Sequence, residues 1–325
     1  MLNKDQLFEG IKKLNVLVIG DLMIDAYTWG KVTRISPEAP VPVVNVTKTE
    51  SRLGGAGNVV MNLVSLGANP FVVSAVGDDA RGIELKNLLT QQGVDVSGIV
   101  EDASRPTTVK ERVLAGSQQL LRIDAETDQL VSPDISLQLL ENVKHLIPKM
   151  HVVIFEDYDK GVLSESLIQE VIALAKMHHV PTVVDPKKRN FFSYAGVDLF
   201  KPNLSELKAG LNLSPEDLTD AVLPKTVKDF KESQSMKGVF VTLSERGVYI
   251  DYAGQTAKIP AHVRQIADVS GAGDTVISIA ACALALGLPA KQIAELANLG
   301  GGLVCESLGV VPIQVEKLAS ELAHF

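Results

Sequence analysis

The sequence predicts an α/β fold with a mainly parallel central sheet flanked by helices, and three observations carry that expectation. Short β-branched runs at 16–19, 71–73, 152–155, 182–184 and 239–242 are bounded by Gly, Asp or Pro. Unbroken apolar runs of this kind suit strands buried on both faces. Amphipathic stretches of helical length, such as 81–92 and 164–176, separate them as crossover helices separate parallel strands. Polar residues stand where strands end: Asp21 after the first run, Asp157 after the third and Asp185 after the fourth. Ligands of open α/β sheets bind beyond the carboxyl ends of strands, so these ends should share one crevice.

Taken in order, the first run leads into Gly20-Asp21-Leu-Met-Ile-Asp25, which brings two carboxylates close to a buried strand. Two stretches, 41–46 and 107–124, break the alternation with the β-rich, partly polar look of antiparallel strands, and Gly116-Ser117 suits a turn in the second. They predict a small inserted sheet in a single domain spanning 1–325, with lid segments at about 33–50 and 105–124. Its edges would stay exposed unless it closed over the crevice or met a second copy, so a homodimer through the lid is expected. Lys110 and Arg112 alternate along one of its strands and share a face. Turned to the crevice they could grip a substrate phosphate; turned outward they are ordinary edge charges.

Leu53-Gly54-Gly55-Ala56-Gly57-Asn58 reads as a glycine turn opening a helix over 59–66. A polar ligand could lie against that backbone, and tight helix–sheet packing explains Gly54 and Gly55 equally well. A dinucleotide site is excluded, because Val60 replaces the third glycine of G-x-G-x-x-G and no clear strand precedes the turn. G-x-x-x-x-G-K-[ST] is absent too. Lys201-Pro-Asn203-Leu-Ser-Glu206 sets an amide and a carboxylate three residues apart at a helix start. The pair could hold hydrated Mg²⁺ near phosphates, although a capping box is the simpler physical account. Thr242-Leu-Ser244-Glu-Arg-Gly247 ends a strand in a turn whose hydroxyls and amides suit phosphate contacts.

The most informative stretch is Asp268-Val-Ser-Gly271-Ala272-Gly273-Asp274-Thr275. Two glycines around a small residue let successive N–H groups face one concavity. The apolar run 276–286 predicts a helix whose N-terminus adds the positive end of a dipole. A carboxylate at Asp274, beside an anion site, is costly unless it takes a proton from an attacking hydroxyl. For the motif alone, a glycine turn with Asp274 capping the helix is the simpler account; the other segments tip the balance towards a phosphoryl-transfer site.

Composition narrows the function classes. With 46% hydrophobic and 22% charged residues, the 325-residue chain falls among soluble globular proteins. A net charge of −8, with Lys187-Lys188-Arg189 as its one compact basic run, argues against a nucleic-acid partner. Cys282 and Cys305 lie in apolar surroundings without metal or disulfide spacing, which fits a reduced cytoplasm. Residues 1–13 hold too short an apolar run for a signal peptide and no stretch is long enough to span a membrane, so a cytoplasmic location without membrane contact is expected. The six histidines show no zinc spacing and no H-x-G-H, so no adenylyltransferase domain is expected.

In combination the motifs resemble the ribokinase/PfkB family of sugar kinases. G-G-x-x-x-N is Gly54, Gly55 and Asn58; N-x-x-E is Asn203 and Glu206; D-x-x-G-A-G-D runs from Asp268 to Asp274. Ser270 stands where the family commonly has Thr, which keeps the hydroxyl. The resemblance implies a ribokinase-like fold, ATP and Mg²⁺, and leaves a monovalent-cation requirement open. It casts Asp274 as the base and Gly271, Ala272 and Gly273 as the anion hole. By the same resemblance Asp21, Asp25, Gly54, Gly55 and Asn58 contact sugar hydroxyls, and Lys110, Arg112 and Lys187 bind the sugar's existing phosphate. Asn203, Glu206, Thr242, Ser244, Gly247 and Asn298 line the nucleotide side, with Asn203 and Glu206 reaching Mg²⁺ through water.

A narrower resemblance is to the D-glycero-D-manno-heptose-7-phosphate kinases of this family. It lies in Gly20 to Asp25, Arg34-Ile-Ser-Pro-Glu-Ala-Pro-Val-Pro-Val43, Lys110-x-Arg112, the segment from Gln118 to Asp124, and Asp157-Tyr-Asp-Lys160-Gly161. It implies phosphorylation of the anomeric hydroxyl to give heptose 1,7-bisphosphate for ADP-heptose and lipopolysaccharide core synthesis. The alternatives are a kinase of the same fold acting on fructose, ribose, a nucleoside or another sugar phosphate, and a non-catalytic sugar-binding regulator. Three cations at the substrate's tail count against an unphosphorylated sugar, and a base beside an anion hole counts against a mere binder.

Overall fold

Both faces of the first strand meet apolar neighbours, which is why its sequence is apolar from Val16 to Ile19. In β1 (Asn15–Gly20), Val16 and Val18 enter one hydrophobic layer, and Leu17 and Ile19 enter the other. The computed structural model describes residues 4–116, 118–214, 218–262 and 264–322. After β1 come β2 (Leu22–Ile35), β3 (Pro42–Gly55), β4 (Asn69–Gly77), β5 (Ile99–Asp102), β6 (Val109–Ala115) and β7 (Gln118–Ala125). The second half adds β8 (Val152–Glu156), β9 (Thr182–Asp185), β10 (Leu199–Phe200), β11 (Gly238–Thr242), β12 (Val248–Tyr252) and β13 (Gln255–Ile259).

The main sheet has the order β13-β12-β11-β10-β9-β8-β1-β4-β5 and is parallel from β11 to β5. Only β12 and β13 run antiparallel, because tight turns replace crossover helices there. Tyr252 pairs with Gln255 across Ala253 and Gly254, whose φ values of 50° and 77° match the right-handed twist of a hairpin. Helices Ala56–Leu66, Ala272–Ala285 and Ala290–Val304 pack on one face of the sheet; Pro133–Leu146, Glu165–Met177 and Leu223–Ser233 pack on the other. The helix predicted over 164–176 begins where its cap requires, with Ser164 accepting the Leu167 N–H at 3.2 Å.

The expected inserted sheet is a separate four-stranded sheet of order β3-β2-β6-β7. It is longer than the lid segments read from sequence. Residues 22–35 form a strand that sequence did not suggest, and β3 runs directly into the helix Ala56–Leu66. A strand therefore does precede the Gly54-Gly55 turn, correcting the earlier reading; its polar stretch from Thr47 to Arg52 hides it in the sequence. The exclusion of a dinucleotide site then rests on Val60 alone. Of the predicted turn at Gly116-Ser117, Ser117 lies outside the described residues, while Ala115 pairs with Gln118 across it. Cys282 and Cys305 are both free and buried, and no helix among the described residues is long and apolar enough to cross a membrane.

Candidate active site

Parallel register sets the floor of the site. Gly20 pairs with Glu156 and Glu156 with Asp185, so the carboxyl ends of β1, β8 and β9 lie level. The helix expected from Val276 starts earlier, at Ala272, with Gly271 as its N-cap at φ 79°, and so carries Asp274 in its first turn. A Cβ at Gly271 would come within 2.7 Å of the Asn58 amide nitrogen, so the turn admits no side chain there. Asp268 shapes the approach: it accepts the Ser270 N–H and hydroxyl at 3.0 and 2.9 Å and the Gly309 N–H at 3.0 Å.

Asp274 is 5% exposed and held at both oxygens. The Asn58 side-chain amide donates to Oδ2 at 2.6 Å and the Tyr158 hydroxyl to Oδ1 at 2.9 Å. Burial is the main force on its pKa and Asp185 repels its charge; Asn58 and Tyr158 only partly compensate, and the value rises to about 6. A carboxylate with that pKa is mostly charged at neutral pH, yet basic enough to accept a proton.

Oxygens of Glu156, Asp185 and Asp274 lie within 4.8 Å of one another, all from buried residues. Neither Glu156 oxygen has a hydrogen-bond partner, and burial, followed by repulsion from Asp185 and Asp274, lifts its pKa well above the normal range. Burial also opposes charge on Asp185, but Lys201 at 2.8 Å and Lys187 at 3.7 Å prevail and hold its pKa low. Unpartnered carboxylate oxygens at this spacing suit a hard divalent cation.

A cavity of about 920 Å³ opens in front of these groups. All six residues expected on the nucleotide side line it: Asn203, Glu206, Thr242, Ser244, Gly247 and Asn298. Gly271, Ala272, Gly273 and Asp274 line it too. Asn203 and Glu206 form the capping box of the helix Leu204–Gly210, each accepting the other's backbone N–H at 2.8 Å. The second Glu206 oxygen takes the Lys187 ammonium at 2.7 Å, so both oxygens of that carboxylate are already engaged.

Asp25, Gly54, Gly55, Asn58, Lys110 and Arg112 lie outside the lining of this cavity and join it through Asn58 and Asp274. Arg112 pairs with Asp25 at 2.6 Å, and a Cβ at Gly54 would fall 2.3 Å from the Asp25 carboxylate. Two residues sit elsewhere than expected. Lys187 lines this cavity, which Lys110 and Arg112 do not, and lies over the Tyr158 ring at 5.2 Å from its centroid. Asp21 is 1% exposed and accepts the backbone N–H groups of Tyr158, Lys160 and Val162 at 2.8, 3.1 and 3.1 Å. It clamps the loop after β8, and its geometry gives no hydroxyl-binding role.

Sequence reasoning gave no chemical role to Glu156, Tyr158 or Lys201. The strand-end rule that flagged Asp185 also covers Glu156, the last residue of β8, and Lys201, directly after β10. Tyr158 falls in the Asp157 to Gly161 segment of the narrower resemblance, but its role is not legible there, because its partner Asp274 lies 116 residues away.

The pfkB family carbohydrate kinase model matches residues 13–317. The chain is 40% identical to the "Bifunctional protein HldE" of Geobacter sulfurreducens, over 98% of this chain and 65% of that protein. It is 39% identical to the protein of the same name from Helicobacter pylori strain P12, over 94% of this chain and 66% of the other. The chain thus spans about two thirds of the length of these curated relatives. Among solved structures, the tetrameric inhibited form of phosphofructokinase-2 from Escherichia coli aligns with a TM-score of 0.78 at 19% identity, covering 95% of this chain and 99% of that one. Arabidopsis thaliana ribokinase complexed with ribose and ATP aligns with a TM-score of 0.71 at 20% identity, over 94% and 98%. With its ribokinase-like fold and a matching family model over nearly its whole length, the chain belongs to the pfkB family of carbohydrate kinases and is an ATP-dependent sugar kinase.

Proposed function

We propose that this chain transfers the γ-phosphoryl group of ATP to the anomeric hydroxyl of D-glycero-D-manno-heptose 7-phosphate, giving heptose 1,7-bisphosphate for ADP-heptose and lipopolysaccharide core synthesis. The observation that carries the proposal is the position of Asp274, which both lines the cavity with the residues expected on the nucleotide side and accepts a hydrogen bond from Asn58, expected on the sugar side. A hydroxyl placed there donates its proton to the Asp274 carboxylate as its oxygen attacks the γ-phosphorus and the bond to the leaving ADP oxygen breaks. The first turn of the helix Ala272–Ala285 directs its positive end at the transferring group, where charge concentrates. Glu156 and Asp185 would hold Mg²⁺, with Asn203 and Glu206 reaching it through water, and the ion would neutralise phosphate charge.

The heptose assignment rests on the first third of the chain, chiefly the Arg34 to Val43 segment, with Lys110 and Arg112 as the cations for the phosphate. A fructose, ribose or nucleoside substrate has no phosphate tail for these cations. A cytoplasmic location and a homodimer through the lid belong to the same proposal; exposed Val32, Ile35, Val46, Leu121 and Ile123 on the four-stranded sheet support the dimer.

The test is Mg²⁺-dependent ATP consumption, with and without K⁺, on the heptose 7-phosphate, sedoheptulose 7-phosphate, fructose 6-phosphate, fructose, ribose and adenosine. Turnover confined to the heptose phosphate, with KM raised by a Lys110→Ala, Arg112→Ala double substitution, is expected. Turnover on an unphosphorylated sugar overturns the heptose assignment, and silence throughout favours the binding protein.

A further inference from the structure

We propose that Lys160 is a further cation of the site for the substrate's existing phosphate, and that the Glu126 carboxylate occupies that site until a phosphorylated sugar displaces it. The inference rests on the heptose-phosphate reading and names parts of the site which that reading does not include.

Lys110 comes from β6 of the small sheet and Lys160 from the loop after β8 of the main sheet, yet both reach one carboxylate. Glu126 Oε2 lies 2.7 Å from the Lys110 ammonium and Oε1 lies 2.9 Å from that of Lys160. The three side chains are 17, 18 and 24% exposed for Lys110, Lys160 and Glu126, so the group is mostly withdrawn from water and its charges act at close quarters. Burial opposes the charge on Glu126, but Lys110 and Lys160 hold its pKa below the usual carboxylate range. Two ammonium groups bridged by one oxyanion form the arrangement a phosphate requires, and a phosphate dianion brings more charge and a third oxygen.

The two halves of this cluster differ in how firmly they are held. Lys160 is fixed: its N–H donates to Asp21, its carbonyl accepts from the Arg105 guanidinium, and its neighbours Asp159 and Gly161 take φ values of 55° and 88°. The same loop carries Tyr158, which donates to Asp274, so the backbone that bears Lys160 is tied to the Asp274 site. Glu126, by contrast, follows the last residue of β7 in a segment without regular structure, whereas Asp124, 3.6 Å from Lys110, lies within the strand. The Glu126 carboxylate takes its hydrogen bonds from the two lysines, so side-chain rotation alone would release both ammonium groups. A neutral sugar brings no charge to replace it, while a sugar with a phosphate far from its anomeric carbon does, and this exchange selects phosphorylated substrates.

The experiment measures KM for the heptose 7-phosphate in wild type, Lys160→Met and Glu126→Gln. Lys160→Met should raise KM about tenfold, the loss of one charge-assisted contact. Glu126→Gln should lower KM by roughly threefold or more, because the competing anion loses its charge, a gain that misfolding cannot imitate. An unchanged KM in Lys160→Met, or an unchanged or higher KM in Glu126→Gln, overturns the proposal. If the wild type turns over no phosphorylated sugar, the heptose-phosphate reading fails. Inorganic phosphate then tests the anion site alone: it should protect the wild type from thermal unfolding and Lys160→Met less, and equal protection of both overturns the inference.

Discussion

Replacing Asp274 with Asn should lower turnover by orders of magnitude and make the protein more stable, and both effects follow from the same buried carboxylate. Folding raises its pKa from 3.8 to about 6, burial being the main cause. The folded state therefore holds this proton more tightly than the unfolded chain does. Between about pH 4 and 6 the native protein binds more protons, so stability falls as pH rises through this window, and the full cost persists above it. A shift of about two units corresponds to about 3 kcal/mol. Asn keeps the shape, still accepts from Asn58 and can donate to the Tyr158 oxygen, but carries no charge to bury. The advantage of the variant should be near zero at pH 4 and grow to about 3 kcal/mol at pH 7, or about 4 °C in Tm for a chain of this length. Calorimetry across pH 4–8 with EDTA present measures the difference, and ATP consumption with Mg²⁺ measures turnover, expected to fall by about 10²–10⁴-fold. A variant less stable at pH 7, or a difference independent of pH, refutes the electrostatic argument; unchanged turnover refutes the base.

Tyr158→Phe removes the hydrogen bond to Asp274 Oδ1, which favours the charged form. The acid limb of the kcat profile should move up by about one pH unit; an unmoved limb would leave Tyr158 a packing role only. Gly271→Ala forces a side chain into the left-handed region and against Asn58, and should cost about 1–3 kcal/mol by chemical denaturation. At Gly273 a Cβ would meet nothing closer than 3.5 Å, so Gly273→Ala should unfold no earlier than wild type; a large loss of kcat in that variant would report on the anion hole alone. Asp21→Ala strips the acceptor from three backbone N–H groups and should destabilise by about 2–4 kcal/mol. A KM effect at unchanged stability would instead restore its sugar-binding role.

The strand runs and the crossover helices were legible because they are local: a buried parallel strand must be apolar on both faces, and a glycine turn before an apolar run opens a helix; the residues expected on the nucleotide side came instead with the family resemblance. The same locality limited the reading. The long strands of the small sheet escaped it because polar residues from Thr47 to Arg52 mask any alternation. Asp21 and Asp185 both follow apolar runs and look equivalent in sequence, yet one clamps a loop and the other joins a triad of carboxylates. Sequence by itself determined which residue types were available, and at what spacing along the chain. Tertiary structure alone decided which carboxylate meets an N–H, which meets a lysine and which is left unpaired, because desolvation and pairing depend on groups brought together from distant parts of the chain. Tyr158 and Asn58 meet Asp274 from 116 and 216 residues away, and the burial that raises its pKa to about 6 comes likewise from packing that no local signal announces.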